Sequence, residues 1–158
     1  MATEIQKKER TAEIEGITIY GLAHGMWELF GDSSFATTGV IGQLLLDRME
    51  QEAGLEINGE APEHILTELV RLFTDEADMI HGGSATIQGD RIFFSSHRYS
   101  FSDGSNALSE TGVQPFYCPI YNLTTAAMRA RLDKRSRFIG RKWDEETKTC
   151  VLEIQLMQ

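Results

Sequence analysis

Only two cysteines, Cys118 and Cys150, occur in 158 residues, too few for a disulfide framework. Three prolines and 14 glycines exclude a collagen-like or low-complexity chain. Apolar runs are as short as Leu44-Leu45-Leu46, far below the ~20 residues that span a bilayer. The opening residues, MATEIQKKERTAEIEG, lack the apolar stretch of a secretory signal. Positive charge is also scarce: 15 Lys and Arg stand against 24 Asp and Glu, a net charge of −9, so the chain lacks the general basic footprint of a nucleic-acid binder. What is present, 41% apolar and 25% charged residues, is an ordinary globular composition. The expectation is a cytoplasmic single domain over 17–158, preceded by a polar segment, 1–16, that is poorly ordered.

Three segments carry apolar residues at helical spacing. The first, over 17–30, has Ile19, Leu22, Ala23, Met26, Trp27 and Phe30, with Gly31 as its C-cap. The second, roughly 35–53, has Val40, Ile41, Leu44, Leu45 and Met49 and ends at Gly54. The third starts at Pro62, a favoured first helical position, and carries Ile65, Leu66, Leu69, Val70 and Phe73 inward. The period then shortens: 84–88 and 91–96, either side of Gly89-Asp90, read as a hairpin. The Ser-, Gly-, Asn- and Asp-rich stretch 98–114 reads as a loop. Pro119 opens a fourth helix to about 133. A second hairpin, 136–143 and 148–157, places Cys150, Leu152, Ile154 and Leu156 on one strand face. The sum is an α+β domain, an antiparallel sheet of two hairpins covered by about four helices.

Most catalytic signatures are missing. Gly82-Gly83-Ser84 leads into a strand rather than a helix, so it lacks the helix N-terminus that holds phosphate. There is no G-x-S-x-G elbow. His24, His81 and His97 show no metal-ligand spacing, and His64 with Glu68 reads as a solvated helical pair. His81 follows a helix end, where the dipole accounts for it. No metal and no cofactor are expected. Cys118, at the predicted start of the fourth helix, is a candidate for a buried inert thiol, a pocket wall or a nucleophile activated by the helix dipole with His97 as base. Cys150 reads as core.

Aromatic residues gather at element ends: Trp27, Phe30, Phe35, Phe94, Tyr99, Phe116, Tyr117, Tyr121 and Trp143. Such sets build either cores or ligand pockets. Gly21, Gly25, Gly39 and Gly42 inside the first two helices leave room for a cavity or for close helix approach. Residues 129–142 hold seven basic side chains and one acid, which marks either solvated or intramolecular charge or the seat of an anion, an acidic partner or a nucleic acid.

The run Thr38-Gly-Val-Ile-Gly-Gln-Leu-Leu-Leu-Asp-Arg-Met-Glu-Gln-Glu-Ala-Gly54 resembles the early helix of 4-vinyl reductase domains. Cys118-Pro-Ile-Tyr and Cys150-Val-Leu-Glu-Ile154, 32 residues apart, are similar to their C-terminal half. The resemblance implies the α+β fold also seen in transport-particle (TRAPP) subunits, homodimers, and binding of small hydrophobic molecules. Zinc, which many members hold with Glu and Cys near the last hairpin, is not implied, because Arg141-Lys-Trp143-Asp stands there. Nor is reduction, because no dinucleotide fingerprint is present. Cys-Pro at a late helix with a Cys in the last strand also resembles L-2-amino-thiazoline-4-carboxylic acid hydrolase-like proteins, which carry further cysteines.

Three functional readings follow. The first is a small-molecule binding or sensor module with Trp27, Phe35, His97, Tyr99, Tyr117, Cys118 and Tyr121 lining or gating the pocket. The second is a thiol hydrolase using Cys118. The third is a dimeric interaction subunit offering 129–142 to an acidic partner.

Overall fold

A computed structural model describes residues 2–157. It has an α+β fold, with a four-stranded antiparallel sheet made from two hairpins. The chain divides into two compact units: residues 2–34 with 101–115, and residues 35–100 with 116–157.

In the first unit, helix α1 spans Glu4–Phe30 and helix α4 spans Ser102–Glu110. Both depart from the sequence expectation. The polar opening segment is helical because Glu, Lys, Gln and Arg are strong helix formers even without an apolar stripe, and because Thr3 caps the helix. The Thr3 hydroxyl accepts from the Gln6 N–H, and the Gln6 side chain accepts from the Thr3 N–H. Gly31 closes α1 at φ +52°, as expected of a C-cap. The inward stripe expected on α1 is reduced to Ala23; Ile19, Leu22 and Phe30 are exposed. The stretch expected as a loop contains α4, although its Ser, Asn, Asp and Gly are weak helix formers. Its Gly104 sits against the Phe101 ring, only 2.5 Å from where a Cβ would lie, and its Leu108 is fully buried. Packing overrides propensity there.

In the second unit, helix α2 spans Thr38–Glu52, following a 3-10 segment, Gly31–Thr37, that begins in the first unit. Helix α3 spans Pro62–Arg71 and continues as a π-turn, Leu72–Glu76. Helix α5 spans Pro119–Leu132. The strands are β1 (Gly82–Gln88), β2 (Arg91–His97), β3 (Arg135–Asp144) and β4 (Thr149–Met157), in sheet order β1-β2-β4-β3. Helices α3 and α5 pack against β1 and β3, and α2 packs on α5. One sheet face is core: Ile92, Phe94 and Ser96 alternate into it from β2, and Cys150, Leu152 and Ile154 from β4. There Phe94 meets Phe73 edge-to-face at 6.2 Å, over buried Ile65, Leu66 and Leu69 of α3.

Helix α2 is rotated from its expected orientation, with Ile41, Leu45 and Met49 of the expected stripe half-buried. Val40 and Leu44, predicted inward, are 63% and 58% exposed, while Thr38, Gly42 and Leu46 are buried. The cause is a close helix crossing. A Cβ on Gly42 would lie 2.3 Å from the Asn122 carbonyl oxygen and 3.1 Å from the Ala126 Cβ. Gly42 of α2 therefore meets α5, and Val40 and Leu44 are left exposed. Arg131 of α5 holds the other end of the pair, donating to the Ile57 carbonyl at 3.0 Å and pairing with Glu50. The two helices run parallel, since the contacts advance together from 42 with 122 to 50 with 131. Among the described residues, no helix is long and apolar enough to cross a membrane.

Candidate functional site

The N-terminal end of α5 organises the second unit's chemistry. Pro119 occupies the first helical position and Cys118 is the N-cap, with extended backbone and no side-chain cap bond. Five of the seven predicted pocket residues, Phe35, Tyr99, Tyr117, Cys118 and Tyr121, lie in or beside two linked groups here.

The first group is aromatic. Phe35 stacks on Phe138 of β3 at 5.6 Å and meets Tyr121 and Phe116 edge-on at 6.1 and 6.4 Å. Tyr121 in turn meets Phe138 at 5.8 Å, and Tyr117 meets Phe116 at 5.7 Å. Phe116 and Tyr121 are buried, and burial raises the Tyr121 hydroxyl above its ordinary pKa against the pull of hydrogen bonds from the Phe138 backbone and Thr125.

The second group is polar, with Tyr99, Cys118 and Cys150 buried and Tyr117 and Arg141 half-buried. Tyr99, Tyr117, Cys118, Cys150 and Arg141 are close enough to interact electrostatically. Burial drives the Tyr99 hydroxyl well above its ordinary range, with Cys118 the next contributor. Burial also pushes the Cys118 thiol up to about 11, although N–H groups of Tyr121 and Ile120 pull the other way. The helix dipole thus loses to desolvation, and the thiol is protonated at neutral pH. An activated nucleophile needs the opposite shift. Burial raises Cys150 too, while Arg141, which hydrogen-bonds it, opposes the change. Arg141 also lies 5.9 Å over the Trp143 ring.

Two expected members stand apart from these groups. The Ser96 hydroxyl donates to the Cys150 carbonyl on the core face, so strand alternation places its neighbour His97 on the opposite face. That placement does not favour His97 as a base for Cys118. Trp27 lies on α1, in the other unit.

Asn122 and Thr38 were not anticipated. Asn122 is completely buried on α5, yet both its amide oxygen and nitrogen lack a hydrogen-bond partner. The buried Thr38 hydroxyl, one turn before Gly42 on the facing helix, is likewise unpartnered. Beside this seam, α2 and α5 enclose a groove of about 630 Å³. Gly39, Val40, Leu44 and Ala126 form its apolar wall, and Arg129 and Gln43 its polar lip. Phe138, Asn122 and Thr38 carry no motif. None of the three stood out in the sequence.

The predicted pair His64 and Glu68 borders a different cleft of about 390 Å³, where Glu68 already holds Arg71 at 3.2 Å. Among the described residues, no three His, Cys, Asp or Glu side chains gather as a metal site requires.

No protein family, curated protein or solved structure matches the chain.

Proposed function

We propose that this chain binds a small molecule with an aromatic or hydrophobic body and one hydrogen-bonding group, along the α2–α5 seam. The observation that carries this reading is Asn122. An unsatisfied buried polar group costs about 1–3 kcal/mol, and native proteins retain few of them. A fully buried amide with both ends open, on a helix pair that also buries the open Thr38 hydroxyl, favours a guest that supplies the missing partners. The aromatic group of Phe35, Tyr121 and Phe138 would hold the apolar body. The adjoining groove, walled by Gly39, Val40, Leu44 and Ala126 rather than by Asn122 or the aromatic group, offers a drug-sized volume beside the same seam. The resemblance to 4-vinyl reductase domains points to the same class of ligand.

The test pairs stability with binding. Asn122→Leu keeps the side-chain volume and removes the open amide, so the ligand-free protein should be more stable by about 1–2 kcal/mol. The same variant should lose the non-covalent adduct that native mass spectrometry detects on the wild type purified from cells. Destabilisation by Asn122→Leu with an unchanged adduct would sink the assignment, because the amide would then be satisfied by ordered water and serve the fold alone.

A second reading, self-association as a homodimer, has its own observation. Ile19, Leu22 and Leu29 on α1 are large, apolar and exposed, as interaction surfaces are. Light scattering on the purified chain tests it, and a concentration-independent monomer would exclude it.

A further inference from the structure

The basic stretch 129–142 is sorted by the fold into engaged and free charges. Arg131 is spent on Glu50 and the Ile57 carbonyl. Arg141 is tied to Cys150 and stacked over Trp143. Arg137 and Lys142 remain uncompensated: Arg137 meets only the neutral Gln155 side chain, at 2.8 Å, and Lys142 makes no ion pair among the described residues.

A β-bulge decides where these two point. Phe138 pairs with Ile154, but Gly140 pairs with Glu153, so Ile139 is the extra residue. The bulge resets the alternation, and Arg137, Gly140 and Lys142 follow one another on the face of the sheet opposite the core, across from Gln155, Glu153 and Val151. Two cations thus flank a residue with no side chain. Beside Gly140, half-buried Phe93 and Val151 wall a notch of about 330 Å³. Its one carboxylate, Glu153, is already held by Arg91 at 2.7 Å. An antiparallel sheet face that meets water is ordinarily polar throughout; this one has an apolar notch between free cations.

We propose that this notch docks an acidic peptide segment of a partner protein, which seats one apolar side chain between Phe93 and Val151 and sets carboxylates against Lys142 and Arg137. Charge complementarity selects the partner: the notch is lined by the unpaired cation Lys142 and by no unpaired anion, and Arg137 follows on the same strand face. The site is independent of the α2–α5 seam.

The test uses the full chain and a synthetic twelve-residue peptide of glutamates around a central phenylalanine, followed by amide chemical shifts. Saturable binding is expected, with shifts confined to β2, β3 and β4 and affinity falling as salt rises. Gly140→Leu fills the notch, and its Cβ meets nothing within 4 Å, so the fold should persist while binding weakens at least tenfold. Lys142→Glu, on the same face, should weaken binding about tenfold and flatten the salt dependence. A lysine version of the peptide should not bind. Absence of saturable binding, shifts on other elements, or unchanged affinity in Gly140→Leu overturns the proposal. So does tighter binding of a single-stranded oligonucleotide to the same face, which would make the partner a nucleic acid.

Discussion

Replacing Gly42 with alanine tests the helix crossing on which the candidate site depends. The added Cβ would lie 2.3 Å from the Asn122 carbonyl oxygen, about 1 Å inside a normal carbon–oxygen contact of ~3.3 Å. The obstacle is backbone, flanked by the Ala126 Cβ at 3.1 Å, so no side-chain rotation relieves it. Helix α2 must retreat or tilt. Overpacking of this kind costs about 1–3 kcal/mol, against which alanine regains about 1 kcal/mol of helix propensity. A net loss of up to about 2 kcal/mol is expected, or up to roughly 8 °C in Tm for a chain of this size. Gly39 is the internal control. It stands in the same helix with nothing within 4 Å of its would-be Cβ, so Gly39→Ala should stabilise by up to about 1 kcal/mol. Thermal and urea unfolding of both variants, followed by circular dichroism, measures the difference. Two variants that stabilise alike would refute the close crossing, and the buried, unpartnered placement of Asn122 would fall with it.

The Cys118 thiol should react slowly with iodoacetamide at pH 7–8 and at the ordinary thiol rate once unfolded, because burial holds its pKa at about 11. The same shift has a stability consequence. A thiol whose folded pKa lies above its unfolded value near 9 contributes nothing pH-dependent below pH 9, then loses stability between pH 9 and 11. The loss reaches at most about 3 kcal/mol. Tyr99 titrates in the same direction, so the part due to Cys118 is the difference between wild type and Cys118→Ala; coincident pH profiles would contradict it. Arg131→Met should destabilise by about 1–2 kcal/mol, since it strips the Ile57 carbonyl of a charged donor and leaves Glu50 unpaired. A change under about 0.3 kcal/mol would show that the bond does not pin the helix pair.

How much of this was legible depended on the kind of signal. Pro62 and Pro119 marked two helix starts because proline's fixed φ suits the first turn. Gly89-Asp90 marked a hairpin because a turn needs a residue tolerant of positive φ, and Gly89 sits at +63°. The alternation Cys150, Leu152, Ile154 marked the core face of β4. Tyr117, Cys118 and Tyr121 were legible as site candidates because they cluster along the chain at a predicted helix start. Asn122 was not, since a polar residue in a helix reads as surface unless the neighbour that buries it is known.

The sequence by itself determined the α+β class, the two hairpins and the residues available for an aromatic site, because period, turn chemistry and helix caps act over a few neighbouring residues. Tertiary structure alone decided which face of α2 is inside. Val40 and Leu44 are the larger apolar residues of α2, yet Gly42 is the one against α5, because a close backbone crossing selects small volume over hydrophobicity. The same level of organisation left the Asn122 amide without a partner and set His97 on the face opposite Cys150. Through one extra residue in β3, it also turned Arg137 and Lys142 to the same side of the sheet. Each outcome depends on pairings between residues distant in the chain, about which local periodicity carries no information.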